Sequence, residues 1–265
     1  MSRNQIHWLS RFVILAVLLE SMGTLAFEPQ GVLGYSIDIL FRTYAMFLGT
    51  VMAHEGIHGS LGRGRTANLW WARIALLPSM VPLTNFQKTH MLHHAFTNIP
   101  EMDPDYFVGP RNIFEIPIRA AAMPHQWFFW LLKRGRINPV HLVDLLLNYA
   151  GIFSVFAALL MFVGPWRLAA GMVPSLILVS VLLWYPFAVK THEGFSTGSQ
   201  ESRSHNYHGR FMYWFSLGLS MHREHHLQPR LSWIELKPFV REKKDTGLLR
   251  RVFPGRDIRL DGESS

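Results

Sequence analysis

The chain of 265 residues contains no cysteine and few charged residues. Without cysteine it forms no disulfide, and zinc–thiolate and iron–sulfur sites are excluded. Charged residues make up only 17% of the chain and apolar residues 49%, a balance that leans away from an ordinary soluble domain. A Gly-x-Gly-x-x-Gly dinucleotide fingerprint is also lacking. Any redox chemistry must therefore draw its electrons from a separate carrier.

The charge that is present is mostly positive. Lys and Arg number 26 against 18 Asp and Glu, which gives a formal net charge of +8. Nucleic acid is the usual partner of so basic a chain. Here, however, the basic residues flank apolar segments and form no stripe with interleaved aromatic residues. Positive charge beside apolar segments orients membrane proteins. We therefore expect that the protein lies in a membrane and that it does not bind nucleic acid.

Four apolar segments are long enough to cross a bilayer, at about 8–27, 33–53, 140–163 and 166–189. Short turns join them in pairs, which predicts two helical hairpins. Residues 68–83 are broken by prolines and 124–132 are rich in aromatic residues, so both are expected at the membrane interface. We predict one all-α domain, 1–265, with four transmembrane helices and a helical cap from 54–139 and 190–265. Lys and Arg after the second span and at 133–136 place the cap and both termini in the cytoplasm, with the inner membrane as the expected location.

Eight of the fourteen histidines fall in three short boxes. The first box has histidines at i and i+4, and the other two have them at i, i+3 and i+4, positions that share one helix face. A face of imidazoles suits a borderline transition metal, and eight are more than one ion needs. The pattern therefore predicts two metal ions, held by His54, His58, His90, His93, His94, His222, His225 and His226.

Three such boxes in a hydrophobic chain resemble the membrane fatty acid desaturase superfamily, which includes acyl and sphingolipid desaturases and carotenoid ketolases and hydroxylases. The resemblance runs from about His54 to Trp233. It implies two iron ions held between histidines, with O2 as co-substrate. It also implies a ninth ligand at His192, because acyl-CoA desaturases have one further ligating histidine at about this place. The asparagine that reaches a metal through water four residues earlier in those enzymes is replaced by Ala188, so that contact is not expected.

Several residues near the boxes are candidates for orienting the ligands. An acidic side chain can accept the free ring N–H of a ligating histidine. The segment Asp103-Pro104-Asp105, called the Asp-Pro-Asp segment, offers two such side chains, and the alternative role of either aspartate is a helix N-cap. The His205-Asn206 pair resembles a His-Asn pair in carotenoid ketolases, which makes His205 either an orienting residue or a ligand. His7, His125 and His141 lie outside the boxes and are expected at the surface or interface. The remaining candidates are His208, Asp103, Asp105, Glu55, Glu193 and Glu224.

Three functions fit these features. The first is an O2-dependent di-iron oxidoreductase that introduces a double bond into a fatty acyl or lipid chain. The second is ketolation or hydroxylation of a carotenoid of the β-carotene type, which the Asp-Pro-Asp segment and the His-Asn pair favour. The third and most remote is a histidine-rich metal transporter, which would place its ionisable residues within the spans. No haem-binding segment resembling cytochrome b5 is present, so we expect a ferredoxin-like carrier with its reductase as electron donor.

Charged residues also occur inside the first two spans, where they are costly unless paired. Asp38 and Arg42 stand four residues apart, so an internal salt bridge is one expectation. The other is that Glu20, Asp38 and Arg42 line a polar seam or a substrate tunnel.

Overall fold

The computed structural model describes residues 1–108, 114–193, 195 and 203–240, and within these ranges every regular element is helical. This confirms the all-α prediction. Short 3-10 turns occur at Leu77–Ser79, Tyr106–Val108, Lys190–His192 and Lys237–Phe239. The α-helices are α1 Arg3–Ala26, α2 Gly31–Ile57, α3 Arg65–Leu76, α4 Leu83–Phe96, α5 Glu115–Lys133, α6 Pro139–Val163, α7 Pro165–Leu178, α8 Arg210–Phe215 and α9 His222–Leu227.

Four helices are long and apolar enough to cross a membrane, as predicted: Arg3–Ala26, Gly31–Ile57, Pro139–Val163 and Pro165–His192. The first begins five residues before its expected start because Ser2 and Gln5 form a capping box, in which each side chain satisfies the backbone N–H of the other. The second continues through the first histidine box. Hydropathy does not register either feature, so the helices extend beyond the predicted spans at these ends.

The fourth span changes its winding before it reaches the cap. After Leu178 the α-helix becomes a π-helix over Val179–Val189, followed by the 3-10 turn Lys190–His192. Pro186 lies within the π segment and has no N–H to donate to an α-helical ladder. π-Helical segments are rare and frequently lie at functional sites. This one ends by delivering His192 to a buried position.

Helix α3, which contains the first part of the segment 68–83, packs closely against α2. A Cβ at Gly49 would collide with the carbonyl oxygen of Ala75, and one at Gly56 would lie 2.8 Å from the Cβ of Ala72. These two glycines share a face of α2, and their missing side chains let α3 approach the α2 backbone. The chain then turns at Leu77–Ser79 and returns as α4, which brings the second histidine box beside the first.

The charged residues of the spans form an ion-pair network in the part of the bundle far from the boxes. Asp38 lies 2.9 Å from Arg42 and 2.9 Å from Arg167 of α7. Arg42 also donates to the Ser21 carbonyl oxygen (2.8 Å) and Arg167 to that of Thr24 (2.6 Å). The internal salt bridge is therefore present, and it ties α1, α2 and α7 together. Since Arg42 precedes His54 by twelve residues, the network lies about 18 Å from the first box along α2.

Candidate metal centre

The histidines reach one region from four separate elements. The first box occupies the end of α2, and the second lies along α4. His192 ends the fourth span, and the third box forms α9. Because α9 has only six residues, it depends on outside contacts: Asn206 accepts the backbone N–H of Arg223 (2.9 Å) and donates to the Glu224 carboxylate. Asn206 thus fixes the start of the helix that carries the third box.

The nine predicted histidines form two clusters, in each of which the candidate ligand atoms lie within 4.8 Å of one another. Their arrangement explains the spacing of the boxes. On α4 the i and i+4 histidines serve the first cluster and the i+3 histidine serves the second, whereas α9 does the reverse. Two facing helices with this spacing therefore build both sites at once. The first cluster is His54, His58, His90, His94 and His225; the second cluster is His93, His192, His222 and His226.

The ring nitrogens within each cluster are as close as neighbouring metal ligands. With metal–nitrogen bonds of about 2.0–2.1 Å, ligands at right angles are about 2.9 Å apart. Pairwise hydrogen bonds explain the distances less well, because one Nε2 has a single in-plane direction yet several here have two close neighbours. The Nε2–Nε2 distances are 2.8 Å for His58–His90, 3.0 Å for His90–His94, 3.0 Å for His94–His225, 3.0 Å for His93–His192, 2.8 Å for His192–His222 and 3.1 Å for His222–His226.

The charge state of the rings also fits a metal centre. Both ring nitrogens of His54 are buried and, among the described residues, have no hydrogen-bond partner. Burial, reinforced by the neighbouring imidazoles, holds the pKa values of His90, His94 and His225 well below the ordinary value. Neutral imidazole is the form that binds a metal, and a buried nitrogen without a partner is costly unless something supplies one. The residues present therefore fit a metal ion in each cluster.

The second cluster is oriented from behind by three acceptors. The Nδ1–H of His93 donates to Asp103 Oδ1 (2.9 Å), and that of His192 donates to the Arg203 carbonyl oxygen (2.9 Å). The Nδ1 of His226 lies 3.5 Å from the Thr97 hydroxyl. Each contact directs the Nε2 of its ring toward the cluster.

The Asp-Pro-Asp segment supplies the charge behind His93. Burial lowers the pKa of His93, but the Asp103 carboxylate, with a smaller contribution from Asp105, outweighs that effect and raises it to about 9. Burial raises the pKa of Asp103 in turn, but the His93 ring and the backbone N–H groups of Asp105 and Asn98 more than offset this, so that the Asp103 pKa is lowered overall. Asp105 contacts the same ring less closely, at 3.7 Å, and burial raises its pKa. A metal ion on Nε2 of His93 would take the place of the proton that Asp103 stabilises.

The remaining candidate residues contact groups other than the two clusters in the described part of the chain. His205 and His208 belong to neither cluster, and the His205 ring packs against Phe195 and Tyr207, with centroids 5.7 and 5.2 Å away. Glu55 accepts the backbone N–H of Trp233 (3.0 Å) and so joins the first box to the segment after the third box. The other two carboxylates pair locally, Glu224 with Asn206 and Glu193 with Lys190. The contacts of these three carboxylates in the described part of the chain are thus with groups other than the cluster imidazoles.

The three histidines expected at the surface divide differently. His125 is exposed, as expected. His7 and His141 are buried, each 9% exposed, so the expectation was wrong for them. The ring of His141 lies 3.1 Å from the Asn85 side chain, an interaction that hydropathy does not reveal.

Asn98 is a site residue that the sequence analysis missed. It follows the second box in the left-handed conformation (φ 64°), which asparagine tolerates better than most residues. Its backbone N–H donates to Asp103 Oδ2 (2.9 Å), and its side-chain nitrogen lies 3.3 Å from the carbonyl oxygens of His192, Phe195 and Arg203. Asn98 therefore ties the end of α4 to the chain around His192. Its place four residues after the last histidine of the second box was the available signal.

A largely apolar cavity opens onto both clusters. It encloses about 770 Å³ of empty space, part of it open to the surroundings. Its lining comes mainly from α2, α4, α5 and the π segment, and it includes four cluster histidines. A hydrocarbon chain placed here would lie close to both candidate metal sites. The four histidines are His54, His90, His93 and His222; the apolar lining includes Phe47, Val51, Phe86, Trp127, Trp184 and Phe187.

Comparison with known proteins gives two matches. The family model described as fatty acid desaturase matches residues 32–249, which includes every histidine box and most of the chain. An omega-3 fatty acid desaturase, fat-1, of Caenorhabditis elegans is 37% identical over 92 residues. The matched stretch is 35% of this chain and 22% of that relative, so the chain covers about a fifth of the relative's length.

Proposed function

Because the chain belongs to the fatty acid desaturase family, we propose that it is an O2-dependent di-iron enzyme that introduces a double bond into an acyl chain. Membership confirms the resemblance seen in the histidine boxes, and it supports a desaturase-type oxidoreductase of the membrane. The observation that carries the finer proposal is the apolar cavity whose lining includes histidines of both clusters. An apolar lining matches a hydrocarbon substrate, and histidines within that lining match the place of oxidation.

In this proposal the first cluster supplies five ligands to one iron and the second cluster supplies four to the other. Imidazole also suits zinc, copper and nickel, so iron rests on the family and not on the donor set. When bound, the iron pair would supply the activation of O2 and the removal of hydrogen from unactivated carbon, which no side chain can perform. Overall, each of two adjacent CH2 groups loses one hydrogen atom. O2 takes up these two hydrogen atoms, two electrons from the donor and two protons from solvent to give two waters.

In this proposal the protein's own residues hold the metal ligands and the substrate chain in place and shield them from water. Asp103, the Arg203 carbonyl and Thr97 fix the rings of the second cluster, while the ion-pair network and the glycine-mediated contact of α2 with α3 fix the helices. The cavity walls exclude water and hold one stretch of the chain against the clusters. Which carbon atoms react then depends on how deeply the chain enters.

A separate electron carrier and a cytoplasmic site complete the proposal. Arg3, at the start of α1, pairs with Glu235 (3.6 Å) and approaches the Arg230 carbonyl oxygen, which supports placing the N-terminus on the same side as the third box. The basic character of the cap suits an acidic, ferredoxin-like carrier with its reductase. We place this side in the cytoplasm of a cell with the protein in its inner membrane, and treat 1–265 as one domain. The predicted position of the C-terminus lies outside the described residues.

Carotenoid ketolation or hydroxylation is the second candidate, and the contact of the Asp-Pro-Asp segment with His93 is the observation in its favour. Family membership favours oxidation over metal transport. Expression in a host that makes both unsaturated lipids and β-carotene tests both candidates together. New double bonds in extracted acyl chains, absent from a host that carries the His225→Ala variant, are expected. Oxidised carotenoid with unchanged lipids would overturn the acyl proposal in favour of the second candidate.

A further inference from the structure

Trp127 is buried in the wall of the cavity although its segment has the composition of a membrane-interface helix. It is 5% exposed, and its ring is stacked on Phe86 with centroids 5.2 Å apart and planes 8° from parallel. Both residues line the cavity. The indole therefore presents a flat apolar surface to any chain that occupies the cavity.

The polar end of the same indole is connected to the second cluster. Its Nε1–H donates to Asp105 Oδ1 (2.7 Å), and the Asp105 backbone N–H donates to Asp103 Oδ1 (2.9 Å). That same oxygen accepts the Nδ1–H of His93. A buried indole N–H needs a partner, and Asp105 is the partner present. Trp127 is thus joined to a candidate metal ligand through two residues of the Asp-Pro-Asp segment.

We propose that Trp127 is a positioning residue with two linked roles, one toward the substrate chain and one, through Asp105, toward His93. This rests on the proposed function. Helix α5 is anchored to α4 by the Trp127–Phe86 stack and to the Asp-Pro-Asp segment by the Trp127–Asp105 hydrogen bond. A chain pressed against the indole consequently bears on the residues that orient the His93 ring. A substrate chain of the correct length would therefore fix the orientation of the Trp127 indole and of the His93 ring together.

Trp127→Phe separates the two roles because phenylalanine keeps an aromatic wall and loses the N–H donor. Trp130→Phe is the matched control, since Trp130 lies on the same helix and stacks on the Arg134 guanidinium at 4.0 Å, outside the cavity lining. Cobalt(II) titration of the purified protein, followed by its absorption spectrum and by metal content per chain, reports on the clusters without any substrate. Trp127→Phe is expected to lower the affinity for one of the two bound metals about tenfold. This is the lower end of the loss in metal affinity that is typical for a residue that orients a metal ligand. In turnover, kcat should fall by more than KM rises.

A double-mutant cycle with Asp105→Ala tests whether the effect passes through Asp105. If it does, Trp127→Phe should add little to the loss already caused by Asp105→Ala. Additive losses, or a Trp127→Phe protein that binds cobalt as Trp130→Phe does, would overturn the proposal. If Trp127→Phe does not fold, Asp105→Ala alone must still weaken one metal, and a normal two-metal titration of that variant overturns the proposal equally. A wild-type protein that binds fewer than two metals would instead count against the proposed di-iron function.

Discussion

Replacing His192 with alanine is the sharpest test of the metal centre, because this residue lies outside every box. Its Nε2 is 3.0 Å from that of His93 and 2.8 Å from that of His222, and its Nδ1–H is held by the Arg203 carbonyl. The change removes one of four imidazoles from the second cluster and leaves the five of the first cluster in place. We therefore expect the loss to be confined to one metal.

The size of the loss follows from the number of ligands. A four-ligand protein site of the zinc-finger type binds its metal with about 10–16 kcal/mol, which is about 2.5–4 kcal/mol for each ligand. At about 1.4 kcal/mol for each factor of ten, the second cluster should bind its metal about 100- to 1,000-fold more weakly. Metal content should fall from about two ions per chain to about one, and turnover should nearly vanish because both clusters face the cavity.

Metal analysis and product formation, measured on protein purified in mild detergent, provide the assay. His125→Ala is the appropriate control because His125 is exposed on α5. His141→Ala would be a poor one, since its buried ring contacts Asn85. If His192→Ala keeps two metals and more than half of the activity, the residue is no ligand and the division into five and four is refuted. A loss of only 10- to 100-fold in metal affinity would instead indicate that His192 orients a metal ligand and does not bind the metal itself.

Three further changes test other parts of the molecule. His225→Ala should abolish turnover without altering membrane insertion, because the spans satisfy their backbone hydrogen bonds internally; normal activity in isolated membranes would remove the first cluster from the site. Asp103→Asn should lower metal affinity or activity by about 10- to 100-fold, measured by metal titration, and a change below about twofold would contradict its role behind His93. Asp38→Ala leaves the buried Arg42 and the partly buried Arg167 without their shared carboxylate and should lower the free energy of unfolding in detergent by about 3–5 kcal/mol. The half-exposed Asp144 offers the control, since its ion pair should be worth about 1 kcal/mol or less; equal losses for the two variants would refute the reasoning.

Box spacing was enough to name eight of the nine histidines that the structure gathers, and the family resemblance added His192. Neither predicted the division of these histidines between two sites. Box spacing places three imidazoles on one face of a helix, and that much is local geometry. The division depends on how α4 and α9 face one another, which spacing within each helix does not contain. His205 shows the same limit: it lies between His192 and the third box, yet its backbone N–H bonds Thr191 and its ring turns toward Tyr207.

Helices able to span a membrane could be predicted because their signal is composition, whereas the inward face of α5 could not. Trp127 and Trp130 lie one turn apart in the same aromatic run, and nothing in their hydropathy distinguishes them. The first is buried against Phe86 and the second is half-exposed beside Arg134. The π segment was equally hidden, because a uniformly apolar run has no periodicity from which its winding can be recognised.

The π-helical segment gives the fourth span a reserve of chain that the other spans lack. As a straight α-helix the 28 residues of Pro165–His192 would extend about 42 Å, well beyond a hydrocarbon core of about 30 Å. Wider winding over Val179–Val189 takes up part of this excess, so a single deletion there could be absorbed by tightening one turn toward α-helical geometry. The same deletion in α2, between Gly49 and His54, would rotate the first box by about 100° away from its partners. We therefore expect related chains to differ in length within the π segment that leads to His192, and to keep a constant number of residues in the part of α2 that leads to His54.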